Sequence, residues 1–247
     1  MSGFEHDKVV PDESSEKSKK EQVANMFDSI AHRYDFLNRF LSAGIDVGWR
    51  KSALKQLKPI QPRQILDVAT GTGDVAILAY QMLAPEKVTG IDISEGMLEH
   101  GRKKLLEKGL SANIELLKGD SETINFPDNS FDAITVAFGV RNFQNLEKGL
   151  SEMHRVLRPG GKLVVLEFSK PKLPGVRNLY NLYMRIIAPG FGGLFAKNKQ
   201  AYRYLNDSVQ AFPERKNFVN ILNSCGFADT YFKPLTLGIC CIYCGSK

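Results

Sequence analysis

The sequence predicts an α/β protein with a doubly wound, mostly parallel sheet of seven strands. Between residues 64 and 168, short apolar runs alternate with amphipathic helical segments, and this alternation requires right-handed crossovers that give a parallel sheet. The apolar runs are nearly continuous, as expected for strands that helices cover on both faces. Two later runs, 228–235 and 237–244, are joined too tightly for a helical crossover. We therefore expect an antiparallel C-terminal hairpin at the sheet edge.

The N-terminal part precedes this alternating region. Residues 1–21 are polar and charged, which predicts a disordered tail. From Gln22 onward, apolar residues recur every three or four positions and predict an amphipathic helix or a broken pair of helices. A second helical stretch runs from about 46 to 57 and ends before Pro59. Residues 22–58 are therefore predicted to form a helical cap ahead of the sheet.

Strands and helices then follow one another along the chain. The predicted strands are 65–69, 88–92, 114–117, 131–137 and 162–168. The predicted helices are 74–83, 94–108 and 146–157, with a further helix at 214–225. Regularity stops at Ser169, because residues 170–216 contain several prolines and glycines and cannot form one continuous helix. We expect a helical insertion there, within one domain that spans 22–247.

Composition restricts the class of protein. With 247 residues, 43% of them hydrophobic and 24% charged, the chain is typical of a globular protein. No apolar run approaches the ~18 residues of a membrane-spanning helix, and no signal peptide is visible at the N-terminus. The net charge of +6 leaves nucleic acid, an anionic membrane or an acidic substrate open as partners. The C-x-x-C of Cys241 and Cys244 has no second pair of ligands, so we expect buried apolar cysteines and no metal site.

A glycine-rich loop follows the first predicted strand. Gly71 and Gly73 allow a sharp turn and a close approach to a ligand, and Ala76 completes the pattern G-x-G-x-x-A. Asp92 ends the second strand, where its carboxylate can accept the two hydroxyls of a ribose. By itself, this pattern also fits a nicotinamide-dependent oxidoreductase.

Three further acids bear on the identity of the nucleotide ligand. Asp67 lies inside the first strand, Asp74 follows the glycines, and Asp120 follows the third strand. Carboxylates around the loop repel a pyrophosphate, but they suit a ligand that carries an ammonium and a sulfonium. Asp120 lies at a strand end, where open α/β sheets bind ligands, and it can accept an exocyclic adenine amine. These charges favour S-adenosyl-L-methionine over NAD as the cofactor.

Residues 65–168 resemble a class I S-adenosylmethionine-dependent methyltransferase, which has a Rossmann-like fold. The resemblance rests on L-D-V-A-T-G-T-G-D at 66–74, Asp92, Gly119-Asp120 and R-V-L-R-P-G-G-K at 155–162. Longer motifs resemble the ubiquinone/menaquinone biosynthesis C-methyltransferase family: F-D-S-I-A-H-R-Y-D-F-L-N at 27–38, F-P-D-N-S-F-D at 126–132, F-G-V-R-N at 138–142, L-E-F-S-K-P at 166–171 and Y-R-Y-L at 202–205. The similarity extends from residue 22 to the end.

This resemblance implies transfer of a methyl group from S-adenosylmethionine to a ring carbon of a polyprenylated quinol. The overall similarity favours demethylmenaquinol, as in menaquinone biosynthesis, and the corresponding benzoquinol of ubiquinone biosynthesis is the alternative. An RNA or protein methyltransferase on the same core is disfavoured, because an appended RNA-binding domain does not fit in this length. A nicotinamide-dependent oxidoreductase is the alternative from a different class.

The predicted cofactor-binding residues lie at strand ends and in the glycine loop. They are Asp67, Gly71, Thr72, Gly73, Asp92, Asp120 and Ser121. The resemblance implies this role for Thr72, Asp92, Asp120 and Ser121. Many relatives have a serine just before the F-G-x-R-N segment as a further cofactor contact, but this chain has Ala137 there. Ala137 is therefore left out of the predicted site.

The predicted catalytic residues are Arg141, Asn142 and Tyr34. A quinol ring carbon is a poor nucleophile until an adjacent hydroxyl loses its proton, so a phenol-type pKa of about 10 must be lowered or a base supplied. The Arg141 guanidinium can stabilise the developing phenolate, while the proton leaves through water because arginine stays protonated. Tyr34 can orient the ring hydroxyl. The structural alternatives are an ion pair for Arg141, a helix N-cap for Asn142 and core packing for Tyr34.

The excess positive charge lies in residues 170–216. This segment has nine Lys and Arg against two acids, and it holds seven of the 24 aromatic residues. It follows the fifth strand, at the ligand-binding edge, so we expect a substrate lid that also meets an anionic membrane. We expect no nucleic-acid partner and a cytoplasmic location at the inner face of the membrane. The hairpin edge offers a surface for a homodimer. The alternative for these charges is a solvated helix surface.

Overall fold

The computed structural model describes residues 4–42, 44–182 and 199–247. Within these residues, seven strands form one sheet in the order β3-β2-β1-β4-β5-β7-β6. The strands are β1 Gln64–Val68, β2 Lys87–Asp92, β3 Ile114–Lys118, β4 Phe131–Ala137, β5 Leu157–Phe168, β6 Ala228–Leu235 and β7 Cys240–Ser246. Strands β1 to β5 run parallel, whereas β7 is antiparallel to both β5 and β6. The predicted doubly wound sheet and its antiparallel C-terminal hairpin are confirmed.

The described helices connect the strands and extend from them. They are α1 Lys19–Leu41, α2 Ile45–Leu54, α3 Asp74–Leu83, α4 Glu95–Glu107, α5 Leu146–Val156, α6 Pro174–Leu182, α7 Lys199–Ala211 and α8 Lys216–Ser224. Three begin at a polar N-cap: the Ser18 hydroxyl accepts the Glu21 N–H at 3.3 Å, the Ser94 hydroxyl accepts the Met97 N–H at 3.2 Å, and the Asn145 side chain accepts the Lys148 N–H at 2.9 Å. The helix predicted at 46–57 is shorter than expected, because a 3-10 turn that contains Pro59 follows α2.

The sheet has a hydrophobic layer on each face, because alternate residues of a strand point in opposite directions. In β1, Leu66 and Val68 belong to the layer with α5 and α8, and Ile65 belongs to the layer with α2, α3 and α4. Burying one such side chain contributes about 2 kcal/mol to folding. The cysteines predicted to fill the last strand are buried in β7: Cys240, Cys241 and Cys244. Both layers hold the loops at the carboxyl ends of the parallel strands in place.

Within the predicted tail of residues 1–21, the described residues from Phe4 onward contact the rest of the domain, which corrects the prediction of disorder for them; residues 1–3 lie outside the described residues. The four residues after Phe4 form a 3-10 turn. The His6 side chain is fully buried, with its ring edge-on to Phe212 at 5.9 Å between centroids. At the start of α1, Lys19 Nζ donates to the His6 carbonyl oxygen at 2.6 Å. The polar composition concealed this segment, because a few buried side chains are enough to anchor it.

Candidate active site

The loop after β1 turns sharply because three of its residues have positive φ. Ala69, Gly71 and Gly73 have φ of 53°, 55° and 78°, and glycine adopts such values without strain because it has no Cβ. The turn directs the Gly71 N–H to Asp92 at the end of β2, whose Oδ2 accepts it at 2.8 Å. The glycine loop therefore connects the carboxyl ends of β1 and β2 directly.

Asp67 lies beneath this loop and is 1% exposed. Its two oxygens accept the hydroxyls of Thr70 and Thr135, each at 2.6 Å. Burial raises the pKa of Asp67 to about 6, although both hydroxyl hydrogen bonds and the Arg50 charge oppose this shift. Because each oxygen already accepts a hydrogen bond, Asp67 stabilises the loop from inside the sheet.

A cavity of about 640 Å³, open to solvent, lies at the carboxyl ends of β1 to β4. Six predicted site residues line it: Gly71, Asp92, Asp120, Ser121, Tyr34 and Asn142. Burial raises the pKa of Asp92, and hydrogen bonds from the N–H groups of Ser94 and Gly71 act against that shift. The structure thus brings the predicted ribose and adenine acceptors together with two of the predicted catalytic residues.

A second cavity, also open to solvent and about 360 Å³ with that open space included, adjoins the first. Its walls include the predicted cofactor residues Asp67 and Thr72. Four residues line both cavities: Tyr34, Ala69, Gly71 and Ala137. Ala137, which sequence reasoning left out for want of a hydroxyl, therefore lies where the two cavities meet. Gly73 lines neither of these two cavities and contributes through the backbone turn that begins α3.

The charges around the second cavity fit S-adenosylmethionine and not a pyrophosphate. Three carboxylates line it, those of Asp35, Asp67 and Asp74, against one cation, Arg50. Burial acts to raise the pKa of Asp74, but Lys104, Arg50 and Arg39 outweigh it and lower this pKa, so the carboxylate stays ionised. Negative charge beside the glycine loop attracts an ammonium or sulfonium and repels phosphate groups.

Helix α1 covers the larger cavity and is tied to the loops that form it. Asp28 accepts a hydrogen bond at 2.6 Å from the hydroxyl of Ser94, in the loop after β2. It accepts another at 2.9 Å from the N–H of Gly96, at the start of α4. In the loop after β3, Asp120 forms an ion pair with Lys20. Sequence reasoning missed Lys20, because nothing in a surface helix marks which of its charges meets a distant loop, and it missed Asp28 although the motif at 27–38 contains it.

Helix α1 also binds the glycine loop, through Thr72. The Thr72 hydroxyl donates to Asp35 at 2.6 Å and accepts from Lys104 Nζ at 3.0 Å. Asp35 follows Tyr34 directly, so the same segment of α1 supplies a cavity wall and a loop contact. The Y-D pair in the motif at 27–38 was the available signal for Asp35.

Arg141 is 5% exposed and forms a buried ion pair with Glu167, with Nη1 and Oε1 2.9 Å apart. Its guanidinium carbon also lies 5.5 Å from the centre of the Phe168 ring. Burial raises the pKa of Glu167, and the Arg141 charge acts against it. The structural ion pair, which was the alternative for Arg141, is therefore present. Arg141 lines neither cavity, but its Nε is buried without a partner among the described residues.

Asn142 and Tyr34 lie on the wall of the larger cavity. Asn142 is not a helix N-cap, because α5 has Asn145 in that position. The Oδ1 of Asn142 is buried and has no partner in the part of the chain described. The Tyr34 ring packs edge-on against Phe27, with 5.8 Å between centroids. Both residues lie where an acceptor can reach them, and their chemical roles stay predictions.

Comparisons with known proteins agree with this geometry. Residues 15–247 match the ubiE/COQ5 methyltransferase family. The chain is 48% identical over 244 residues to the demethylmenaquinone methyltransferase of Bacteroides fragilis, covering 99% of both chains. It is 46% identical over 230 residues to the ubiquinone/menaquinone biosynthesis C-methyltransferase UbiE of Geotalea daltonii, covering 93% of this chain and 97% of the relative.

Solved structures share the fold at low sequence identity. A SAM-dependent methyltransferase of Thermotoga maritima has a TM-score of 0.64 at 20% identity, over 91% of this chain and 99% of that one. The [4+2]-cyclase SpnF has a TM-score of 0.61 at 17% identity, over 92% of this chain and 96% of that one. Because a cyclase and a methyltransferase both superpose, these likenesses concern the fold alone.

The strand order, the glycine loop and the acids at the carboxyl edge define a class I methyltransferase, for which S-adenosyl-L-methionine is the cofactor. Within that class, the chain belongs to the ubiE/COQ5 methyltransferase family. A nicotinamide-dependent oxidoreductase, the alternative from a different class, is excluded by this membership.

Proposed function

We propose that this protein transfers a methyl group from S-adenosylmethionine to a ring carbon of a polyprenylated quinol, and that it converts demethylmenaquinol to menaquinol in menaquinone biosynthesis. The observation that carries the proposal is the 48% identity, over 99% of both chains, with a protein named demethylmenaquinone methyltransferase. Other relatives are named for both ubiquinone and menaquinone biosynthesis, so the benzoquinol is the alternative acceptor.

The cofactor is proposed to bind across the glycine loop and the next two strand ends. Asp92 accepts the ribose hydroxyls, and Asp120 and Ser121 contact the adenine. Gly71, Thr72 and Gly73 shape the loop around the amino-acid part, and Asp67 supports that loop from below. The cavity that Gly71, Asp92, Asp120 and Ser121 share supports this assignment.

The chain's part in the reaction is to make one quinol carbon nucleophilic and to hold it in line. When bound, S-adenosylmethionine supplies an electrophilic methyl group on a sulfonium. Tyr34 and Asn142 are proposed to hydrogen-bond a ring hydroxyl. Arg141 offers its Nε–H to the phenolate that forms when this hydroxyl loses its proton to water. Each unit by which the hydroxyl pKa is lowered corresponds to about 1.4 kcal/mol.

Residues 22–247 are proposed to act as one methyltransferase domain, with 170–216 as a lid over the acceptor. Helices α6 and α7 belong to this insertion, and residues 183–198 lie outside the described residues. In α7, the buried Tyr204 packs with Val23 of α1, and Val23 lines the larger cavity. This contact between the insertion and the cavity wall supports the lid.

The lid is also proposed to contact anionic lipid at the cytoplasmic face of a membrane. In its described parts, Lys172, Arg177 and Arg203 are exposed, and Leu173 is 56% exposed. Each cation near such a surface contributes about 1 kcal/mol. No helix in the described part of the chain is long and apolar enough to cross a membrane. Sedimentation with anionic vesicles tests the contact: we expect binding at low salt that is lost at high salt, and no binding at low salt contradicts it.

A homodimer is proposed through β6, the edge strand of the sheet. All eight of its residues are exposed or half-buried, and an exposed strand edge can pair with another strand. Light scattering during size-exclusion chromatography tests this. A mass near 27.6 kDa, that of one chain, contradicts the dimer.

Transfer of labelled methyl to two acceptors tests the proposed reaction. The protein is given labelled S-adenosylmethionine and either demethylmenaquinol or the corresponding benzoquinol. We expect labelled menaquinol and at least about tenfold less benzoquinol product. The reverse preference assigns the alternative acceptor. Titration with S-adenosylhomocysteine shows whether the preparation binds cofactor, and binding without transfer to either quinol contradicts the proposal.

A further inference from the structure

Tyr204 has a buried hydroxyl for which the described residues provide no partner. The side chain is 3% exposed and packs against Val23 and Met26 of α1. Buried polar groups are almost always hydrogen-bonded, so an unpartnered one needs a physical reason. Tyr204 lies in the Y-R-Y-L motif at 202–205, to which the reaction proposed above assigns no role.

Tyr243 is a buried tyrosine whose hydroxyl does have a hydrogen-bond partner within the protein. Its side chain is also buried, and its hydroxyl accepts the backbone N–H of Arg215 at 2.9 Å. A phenylalanine at 204 would fill the same space and avoid the cost of burying a hydroxyl. Packing therefore accounts for the ring of Tyr204 but not for its hydroxyl.

Two further unpartnered atoms lie on a neighbouring turn. Helix α7 contacts the 3-10 turn Val140–Asn142, where Arg141 Nε and Asn142 Oδ1 are both buried without a partner among the described residues. The charges of Arg141 and Glu167 both act on the ionisation of Tyr204. Burial raises the pKa of Tyr204, and Glu167 adds to this while Arg141 opposes it. The hydroxyl therefore stays protonated and can donate.

These three atoms match the hydrogen bonds of one quinol hydroxyl. Arg141 Nε can only donate, Asn142 Oδ1 can only accept, and the Tyr204 hydroxyl can do either. Asn142 lines the larger cavity, and so does Val23, against which Tyr204 packs. Tyr204 and Arg141 line neither of the two cavities themselves, but each adjoins a residue that lines the larger one: Val23 for Tyr204 and Asn142 for Arg141.

We propose that Tyr204 is a catalytic residue that donates a hydrogen bond to a ring oxygen of the quinol. Together with Arg141 and Asn142, it completes the polar end of the acceptor site. This inference rests on the proposed quinol methylation. Because Tyr204 is only 3% exposed, its hydroxyl reaches a bound quinol ring only when α7 shifts away from α1, as the proposed lid requires. A hydrogen bond donated to the phenolate lowers the pKa of the bound quinol.

Tyr204→Phe tests this inference, and Tyr243→Phe is the matched control. For Tyr204→Phe we expect kcat/KM for demethylmenaquinol to fall at least about tenfold. Cofactor affinity should stay within about twofold, and Tm should hold or rise, because an unpaired buried hydroxyl is removed. Tyr243→Phe should lower Tm, because the Arg215 N–H loses its acceptor, and should leave kcat/KM within about twofold.

The pH profile of kcat separates a hydrogen bond to the quinol from a structural effect. In Tyr204→Phe, the rising limb should move to higher pH, because the bound quinol loses a donor to its ionised form. A kcat/KM within about twofold of wild type overturns the inference, and so does a loss of activity with an unmoved profile and a parallel fall in Tm. A wild-type protein that binds S-adenosylhomocysteine but methylates neither quinol overturns this inference together with the proposed function. A wild type that methylates, with an equally active Tyr204→Phe, overturns this inference alone.

Discussion

The cofactor side of the site consists of the loops after β1, β2 and β3, and the acceptor side consists of the turn after β4 together with α7. On the cofactor side, Asp67, Asp92 and Asp120 accept hydrogen bonds from neighbouring loop groups. On the acceptor side, the turn holds two unpartnered buried atoms, and Tyr204 in α7 holds a third, among the residues described. The two sides lie at one edge of the same sheet and differ in degree: beside the glycine loop only the Nε of Arg50, which lines the second cavity, is buried without a partner among the described residues, against three such atoms on the acceptor side.

This difference teaches how the two ligands are recognised. A side whose polar groups are already paired is preorganised. Its side chains and loops therefore lose little conformational entropy when the cofactor binds. A side with unpaired buried groups gains hydrogen bonds from the correct ligand, and it rejects a ligand that cannot supply them. Cofactor binding should therefore depend on the rigid loops. The choice of acceptor should depend on the polar end of the acceptor site, formed by Arg141, Asn142 and Tyr204.

The largest expected effect comes from breaking the buried pair on the acceptor side. Arg141→Met leaves Glu167 buried without its partner, so the free energy of unfolding should fall by about 3 to 5 kcal/mol, measured by urea denaturation. Loss of methyl transfer in this variant alone would not separate catalysis from folding. The double variant Arg141→Met with Glu167→Gln removes both charges and should recover most of the stability.

The double variant decides the role of Arg141. If Arg141 stabilises the phenolate, methyl transfer stays abolished while stability and cofactor affinity return. Recovery of transfer together with stability would show that Arg141 serves the fold alone. Turnover of demethylmenaquinol and calorimetric titration of cofactor, made on the same preparations, give the comparison.

On the cofactor side, Asp92→Ala should weaken cofactor binding with little effect on the acceptor side. Two hydrogen bonds that the carboxylate accepts from ribose hydroxyls contribute about 3 kcal/mol, which is about a hundredfold in Kd. Calorimetric titration with S-adenosylhomocysteine measures the change. Asp128→Ala, which removes an exposed carboxylate paired with Arg155, is the control and should leave Kd unchanged. Unchanged affinity in Asp92→Ala would remove the ribose assignment.

Asp67 gives the cofactor side a pH dependence with a defined sign. Its pKa of about 6 lies above the ordinary value of 3.8, so the folded state binds more protons between these values. Stability should therefore fall as pH rises from about 4 to 6, by about 2 to 3 kcal/mol from this residue. Urea denaturation at several pH values should show Asp67→Asn gaining stability relative to wild type across that range.

Asp132→Asn is the control of opposite sign. Burial acts to raise the Asp132 pKa, but hydrogen bonds from Gln64, Arg158 and Arg63 outweigh it and lower this pKa. Wild type should therefore gain stability relative to Asp132→Asn as pH rises through the acidic range. A difference between wild type and Asp67→Asn that does not vary with pH would contradict the proposed cost of burying Asp67.

The smallest expected effect concerns the contact between α1 and the cofactor side. Lys20 pairs with Asp120, and its side chain is 31% exposed. If Asp120 accepts the adenine amine, Lys20 competes for the same carboxylate, so Lys20→Met should raise cofactor affinity by about two- to fivefold. Lys87→Met breaks an exposed pair with Glu115 and should leave Kd unchanged. A weaker Kd in Lys20→Met would show that the pair holds α1 over the cofactor.

Much of the sheet could be predicted because each strand carries its own signal. The apolar run at 131–137 coincides with β4, and the short connection near 236 required the β6–β7 hairpin. The start of β5 could not be predicted, because R-P-G-G at 158–161 is typical of a turn, yet these residues belong to the strand. In the register with β4, pairing passes from Leu157 directly to Lys162, and pairing with β7 begins only at Lys162, so residues 158–161 form an irregularity within the strand.

The candidate site was predictable where its residues belong to one motif. The glycine loop, Asp92 and Asp120 line one cavity because the carboxyl ends of parallel strands meet at one edge. The partners that reach the site from elsewhere were not predictable. The packing of separate elements decides three such contacts: the ion pair of Glu167 with Arg141, the hydrogen bond of Asp28 with Ser94, and the packing of Tyr204 against α1.

The sequence by itself determined the α/β fold class, the cofactor loop and the family resemblance. These depend on local periodicity and on motifs of contiguous residues. Only the tertiary structure decided which polar groups are paired and which wait for a ligand. A hydrogen bond needs two atoms within about 3 Å, and that distance depends on the packing of elements far apart in the chain. For this reason Arg141 acquired a buried partner, and the Tyr204 hydroxyl was left with none among the described residues.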